Sequence, residues 1–447
     1  MSVNNLMTES ELKKILQDSG VVGAGGAGFP SYAKLSEKAQ ILVVNCAECE
    51  PLIYTDYMLL REEFSKIVGG IKIVIASSCI THAYLSLKEH TGSALGFVDG
   101  QKVDDNITIK FLPNVYPMGD EINLIYEATG LLISPGQLPI SRGVVVFNGE
   151  TLYNICEAVT LGTPVTEKWI TVAGNIEHKL VLKVPVGMSV RELFDKLKIT
   201  IPEGNSLFDG GPSMGRLVNP MQAVISKTTN SLLIIPDTAP AVAHKRITLE
   251  DMLRRAASCC CACTRCTEMC PRHLLGYPLE PHKMIRAAMT NAVLDDPELI
   301  KTASLCCSCG ICAEVCCQDI SPKDVIAHLK GVLAKNKVKY MSGSEEYTPS
   351  SDRPYRLIPS SRWQSMLGIK KFDGVPKLLK KKLAASKVEI STHPHIGAPS
   401  LPVVSVGDKV KIGQLIAEAA NGLSVTQHAS ISGTVISVTP EKIIIEA

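Results

Sequence analysis

The sequence predicts a multidomain chain of mixed α/β and α+β class, with a helical, cysteine-bearing segment and an all-β tail. Three observations carry this. Residues 1–160 alternate short β-branched runs with helical periodicity, the pattern of an α/β unit on a parallel sheet. Six of the sixteen cysteines fall in Cys259–Cys270 and six more in Cys306–Cys317. Beyond residue 389, short β-branched runs are broken by glycines. The 447 residues leave room for roughly three domains by length alone.

Taken in order, Leu12, Ile15 and Leu16 recur at helical spacing after the caps Thr8 and Ser10, giving a first helix that docks on its own domain. Ile41–Val44 and Ile71–Ile75 read as strands, with Asp56–Val68 a helix between them. Residues 165–240 read as a small α+β module, with strands at Trp169–Ala173, Leu180–Val184 and Ser231–Ile235 and a helix at Val190–Leu197. Residues 247–335 are helical. Residues 336–388 read as a linker. Within it, 337–365 is rich in Ser, Pro, Tyr and Arg, and Lys370–Lys382 is a basic stretch with interleaved leucines, read as a solvated connector. Residues 389–447 carry PVVSVGDKV, GQLIA, HASISGTVISV and KIIIE, which fit a compact sandwich of hairpins.

Composition narrows the partners. Hydrophobic residues make up 45%, charged residues 20%, and the net charge is +2, so no strong field toward nucleic acid or a membrane surface arises. The opening MSVNNLMTESELKKIL lacks the layout of a secretory signal. No apolar run reaches the ~18 residues of a membrane span. The expectation is a cytoplasmic protein with reduced cysteines and no transmembrane segment.

The cysteine runs carry the chemistry. Cys260, Cys263, Cys266 and Cys270 fit C-x2-C-x2-C-x3-C, followed by Pro271, and Cys306, Cys309, Cys312 and Cys316 repeat the spacing. In that run three thiolates hold one [4Fe–4S] cube and the fourth ligates the other. The expected sets are Cys260, Cys263, Cys266 and Cys316 for one cluster, and Cys306, Cys309, Cys312 and Cys270 for the second. Zinc would not need two full four-cysteine runs, and disulfides would need an oxidising compartment. Cys259, Cys261, Cys307 and Cys317 are surplus, and Cys317 stands where a proline usually follows, so a one-residue shift of ligand stays open.

Gly20–Pro30, GVVGAGGAGFP, matches dinucleotide-loop spacing at Gly23, Gly25 and Gly28, but it follows a helix rather than a strand. Its bare backbone N–H groups suit close approach to a phosphate or a flavin. A flexible turn is the bland alternative. Cys46 and Cys49 form a further C-x2-C; packing of a loop is favoured over a third metal site or a redox disulfide. Cys79 and Cys156 read as small buried hydrophobes.

The ordered motifs GAGGAGFPSYAK, VVNCAECEP, YPMGDEINLI and FNGETLYNI resemble the NADH- and FMN-binding subunit of respiratory complex I, and more closely the C subunit of the Rnf complex. The region with GGPSMG resembles the β-grasp SLBB domain that follows in both. The tail HPHIGAPSLPVVSVGDKVKIGQLIAEA is similar to the Rnf C barrel-sandwich module, here at the C-terminus rather than the N-terminus. That order resembles the cobalamin reductases of propanediol-utilisation microcompartments. The resemblance implies a Rossmann-like FMN/NADH domain over 1–160, an SLBB domain over 165–240, a two-cluster ferredoxin-type domain over 247–335, and a barrel-sandwich domain over 389–447.

It also implies residue roles. Gly23, Gly25 and Gly26 would lie against the flavin and its phosphate, Ala27 and Phe29 would border the nicotinamide nucleotide, and Lys34 would meet phosphate. Asn45 and Glu48 would bond the flavin, and Glu50 the NADH side. Tyr116, Gly119, Asp120 and Glu121 would line the shared pocket, with Asn148 and Thr151 at the FMN phosphate end. Complex I has an acidic residue where Ala47 stands, and small uncharged residues at Cys46 and Cys49.

The function so implied is NADH oxidation through FMN and two [4Fe–4S] clusters, reducing cob(III)alamin or cob(II)alamin toward cob(I)alamin. Expected partners are cobalamin, an adenosyltransferase and microcompartment shell or core proteins, with a homo-oligomer left open. The corrinoid signature D-x-H-x-x-G is absent, because Pro271 stands where Asp is required before His273. His393 and His395 read as structural. Alternatives are an Rnf C-type member of a ferredoxin:NAD oxidoreductase, another microcompartment reductase, and a non-catalytic electron-transfer scaffold.

Overall fold

The structure, a computed structural model, describes residues 7–289, 297–341 and 347–447. The first helix, Glu9–Asp18, starts at Thr8 with a reciprocal Thr8–Glu11 capping box and buries Leu12 and Leu16 in the first core. The sheet on which it sits runs Lys102–Asp104, Ile107–Leu112, His82–Lys88, Ile41–Cys46, Val144–Asn148. All neighbours are parallel except the Lys102–Asp104 edge. The chain leaves the central strand Ile41–Cys46 in one direction and returns on its other side with Val144–Asn148. The order therefore reverses between those two strands.

Ile71–Ile75 is not a strand. It belongs to the helix Phe64–Ala76, and the second strand is His82–Lys88. Ile67, Ile71 and Val74 recur at helical spacing and are buried, while Gly70 lets the helix approach Gly149–Leu161: a Cβ there would lie 2.1 Å from the Leu152 carbonyl oxygen. The β-branched run alone could not show that contact. The expected helix over Asp56–Val68 is broken at Glu63 into Thr55–Glu62 and the start of Phe64–Ala76.

The second sheet orders Arg216–Val218, Asn205–Asp209, Ser231–Pro236, Glu167–Gly174, Leu180–Pro185 and Lys377–Leu379, with the helix Val190–Leu197 packed into the same core. The last strand comes from the stretch expected as a linker. That stretch also pairs Ile358–Pro359 with Val115–Tyr116 and buries Trp363 completely. It therefore connects and packs at once.

The cysteine segment is helical as expected: Leu249–Cys259, Pro281–Met289 and Pro322–Lys335 enclose a core of Met252, Leu279, Met284, Ile326 and Leu329. The tail forms two antiparallel sheets, Lys387–Ser391/Lys442–Glu446/Gly433–Val438/Lys409–Val410 and Leu401–Pro402/Leu415–Glu418/Gln427–His428. It clasps the glycine loop. The Ile396 N–H donates to the Gly28 carbonyl at 3.0 Å, and Gly28 takes φ of 64° where a Cβ would crowd Pro394. No helix among the described residues is long and apolar enough to cross a membrane.

Candidate functional site

Open α/β sheets bind ligands beyond the strand carboxyl ends where strand order reverses. Here that point lies between Asn45 and Asn148, which sit side by side in parallel register. The Asn148 amide donates to the Asn45 carbonyl at 3.1 Å, and the Asn45 amide donates to the Gly119 carbonyl at 3.0 Å. Asn148 and Asp120 cap the helices Gly149–Leu161 and Glu121–Thr129, so two helix N-termini, favourable to anions, face this point.

Two adjoining cavities of about 750 and 320 Å³ open there and share Gly25, Asn45, Gly119, Glu121 and Asn148. Gly23, Ala27, Phe29, Lys34 and Thr151 line the larger; Glu48, Glu50 and Asp120 line the smaller. The Lys34 ammonium donates to the Val146 carbonyl at 2.8 Å and lies 3.5 Å from Glu121. Thr151 accepts the Ala24 N–H at 3.0 Å, pinning the glycine loop to the capped helix.

The smaller cavity is acidic. Glu48 accepts the Asp56 and Tyr57 N–H groups at 2.8 and 3.2 Å. Burial and then the repulsion between them push the Glu48 carboxyl up; burial likewise pushes up Asp56, against the hydrogen bond from Asn148. Glu150 is neutralised by Lys168, with both side chains almost fully buried.

Two expected lining residues stand elsewhere. Gly26 lines neither cavity; it turns the loop with φ of 112°. Tyr116 also lines neither. Pairing of Val115–Tyr116 with Ile358–Pro359 turns its ring onto Trp363, at 4.5 Å between centroids. Its hydroxyl donates to the Cys309 carbonyl at 2.6 Å.

The cysteines separate into two groups. Cys270, Cys306, Cys309 and Cys312 line one cavity with Cys307; Cys260, Cys263, Cys266 and Cys316 line another with Cys261 and Cys317. Cys270 and Cys316 thus each cross to the other run's cavity. Both loops curl through left-handed residues at matching places, Ala262 and Thr264 in the first and Ser308 and Gly310 in the second, before the short helices Arg265–Glu268 and Ile311–Glu314. Five cysteines line the first cavity and six the second, with no carboxylate in either lining, and four thiols of each set are a donor set that fits an iron–sulfur cube. Burial pushes the Cys266 and Cys270 thiols up to about 12, so ligation must expel their protons.

The first of these cavities abuts the cleft. Cys307 and Cys309 also line the smaller acidic cavity, and Arg272, beside Cys270, pairs with Asp120 at 2.6 Å. Ser213 and Met214 close the acid end, their N–H groups each 3.0 Å from the Glu50 carboxylate. GGPSMG was legible as a motif, but nothing in it pointed to Glu50. Trp363 carried no sequence signal. Cys46 and Cys49 pack against glycines: a Cβ on Gly149 or Gly119 would lie 2.6 or 2.9 Å from their sulfurs. His393 and His395 bond the carbonyls of Gly397 and Ala398 within the tail.

Comparison with known families matches residues 16–157 to the Nuo51 FMN-binding domain, 259–321 to the 4Fe-4S dicluster domain, and 371–446 to the RnfC barrel sandwich hybrid domain. The cobalamin reductase PduS of Salmonella typhimurium is 34% identical over 99% of this chain and 98% of its own length. The C subunit of the Na(+)-translocating ferredoxin:NAD(+) oxidoreductase complex of Acetobacterium woodii is 28% identical over 60% of this chain and 59% of its own. Among solved structures, an NAD+-reducing [NiFe]-hydrogenase gives a TM-score of 0.45 at 18% identity, covering 76% of this chain and 64% of that one.

Proposed function

The chain belongs to the cobalamin reductase family of PduS, a family of oxidoreductases, and on that premise we propose that it is an NADH-dependent reductase of cob(III)alamin and cob(II)alamin. The observation that carries this reading is the shared wall: Cys307 and Cys309 belong both to the acidic cavity of the cleft and to the cavity lined by Cys270, Cys306 and Cys312. When bound, FMN and two [4Fe–4S] clusters supply the conversion of a two-electron donor into one-electron delivery. The chain's own residues bind and orient. Gly23, Gly25, Asn148 and Thr151 hold the flavin end, with the capped helix facing phosphate. Ala27, Phe29 and Lys34 border the nucleotide. Glu48 with Asp56 keeps a proton beside the cavity, and Glu50 is fixed by Ser213 and Met214.

In the same reading, Cys306, Cys309, Cys312 and Cys270 hold an inner cluster, and Cys260, Cys263, Cys266 and Cys316 an outer one. Residues 165–240 are an SLBB-type β-grasp module, and the chain works in a propanediol-utilisation microcompartment beside an adenosyltransferase. The test is anaerobic reconstitution with iron, sulfide and FMN, followed by NADH-dependent reduction of cob(III)alamin against reduction of a ferredoxin. Faster cobalamin reduction is the expected result. Reduction of ferredoxin alone favours an Rnf C-type role, and absence of FMN binding and NADH oxidation favours a scaffold.

A further inference from the structure

Between the cleft and the inner cysteine cavity stands a closed network whose two aromatic members, Tyr116 and Trp363, line neither. The Tyr116 hydroxyl reaches the Cys309 carbonyl at 2.6 Å and the Glu50 carboxylate at 3.2 Å. The Tyr116 ring lies parallel to Trp363, 8° between planes. The Trp363 indole N–H donates to the Ser213 hydroxyl at 3.0 Å, and the Ser213 N–H returns to Glu50. Tyr116 and Trp363 are 1% and 0% exposed, so both polar groups are spent inside the protein. Buried phenol and indole donors need partners placed for them, which plain packing would not require.

The tryptophan arrives from the connector between the cysteine segment and the tail. Ile358–Pro359 pairs with Val115–Tyr116, and the Lys88 ammonium holds the Ser360 hydroxyl at 3.0 Å. Further along, the Tyr54 hydroxyl donates to Asp373 at 2.7 Å and Lys179 donates to the Asp373 carbonyl at 3.0 Å. The strap is thus tied to the first and second sheets on either side of the junction. Its largest fully buried side chain, Trp363, meets Tyr116, whose hydroxyl holds the inner cysteine loop.

We propose that Tyr116 and Trp363 are positioning residues that hold the Cys309 loop against the cleft and so fix the passage between the flavin and the inner cluster. This rests on the cofactor reading above. Neither side chain lines the cleft, so neither touches the nucleotide. The pair acts on the loop, through one hydroxyl and one stacked ring. Hydrogen bonding around a cluster is among the determinants of its potential, so the inner cluster should also register the change.

The test uses the reconstituted full chain and Tyr116→Phe, which keeps the ring stack and removes only the hydroxyl. Stopped-flow absorbance follows NADH-driven flavin bleaching and then cluster reduction; EPR redox titration follows each cluster. In Tyr116→Phe, full iron and flavin content, unchanged flavin bleaching, a several-fold slower inner-cluster reduction and a shifted inner midpoint with the outer unmoved are expected. Trp363→Phe, which loses the bond to Ser213 and part of the ring stacked on Tyr116 at a fully buried position, should change both in the same direction. Wild-type kinetics and midpoints in Tyr116→Phe overturn the proposal. So does slower flavin bleaching of equal size, which would place Tyr116 in nucleotide binding through Glu50. If NADH bleaches no flavin in the wild-type protein, the cofactor reading itself fails, before any variant is compared.

Discussion

The two cysteine sets draw on runs of one spacing and differ in exposure: Cys306 is half-buried in the inner set, and Cys260, Cys266 and Cys316 are half-buried in the outer one, where Cys263 is exposed. Cys270, Cys309 and Cys312 are 7–8% exposed, beside Arg272 and Lys323 and against the cleft. Cys261, Cys263 and Cys317 are exposed, their sulfurs within 4.8 Å of one another at the surface. Spacing specifies which thiols gather, whereas tertiary placement separates an inner set from an outer one. Each set is completed by a cysteine from the other run. The two loops are therefore tied together as neither run could be alone.

The largest expected effect compares two arginines. Arg272→Ala strands the buried Asp120 carboxylate between the cleft and the inner set and should cost about 3–5 kcal/mol in denaturant titration. Arg265→Ala, exposed beside the outer set, should stay within about 0.5 kcal/mol. Equal losses would erase the inner–outer distinction.

A chelator challenge sharpens it next. After reconstitution, a ferrous chelator added in air should remove iron in two phases, with the outer EPR signal lost first, because exposure controls access to the cluster. A single phase would contradict the burial contrast.

The pH effect is smaller. Burial, and then repulsion from Lys323, lowers the Lys245 ammonium to about 8 from its ordinary 10.5. Between those values the unfolded chain binds the extra proton, so this lysine's contribution makes stability rise with pH across that window. Lys245 donates to the Ser213 and Gly215 carbonyls at the inner junction. Lys245→Met should weaken the rise, and an identical pH profile would remove this lysine from the account. Smallest of all, Cys317→Ser should leave iron content and stability unchanged, within about 0.5 kcal/mol. Loss of the outer cluster's iron would instead make Cys317 a ligand.

What the sequence disclosed was local. The thiol groups follow from gaps of two and three residues, and the N-cap of the first helix from Thr8 and Glu11. The glycine loop was legible as a loop without its clasp, because the Ile396–Gly28 bond joins opposite ends of the chain. Ile71–Ile75 misled because a β-branched run suits a strand until Gly70 and its partner helix are known. Tyr116 was expected to line the shared pocket and lines neither cavity, because Ile358 and Trp363 turn it from far along the chain. Those two lie in a segment whose Ser, Pro, Tyr and Arg content reads as linker.

The position of the inner set between the cleft and the outer set is tested by single-turnover reduction with NADH, read by freeze-quench EPR in two reconstituted variants. In Cys263→Ala the inner cluster signal should appear at the wild-type rate. In Cys309→Ala the flavin should bleach while the outer signal stays absent. Prompt appearance of the outer signal in Cys309→Ala would contradict the order.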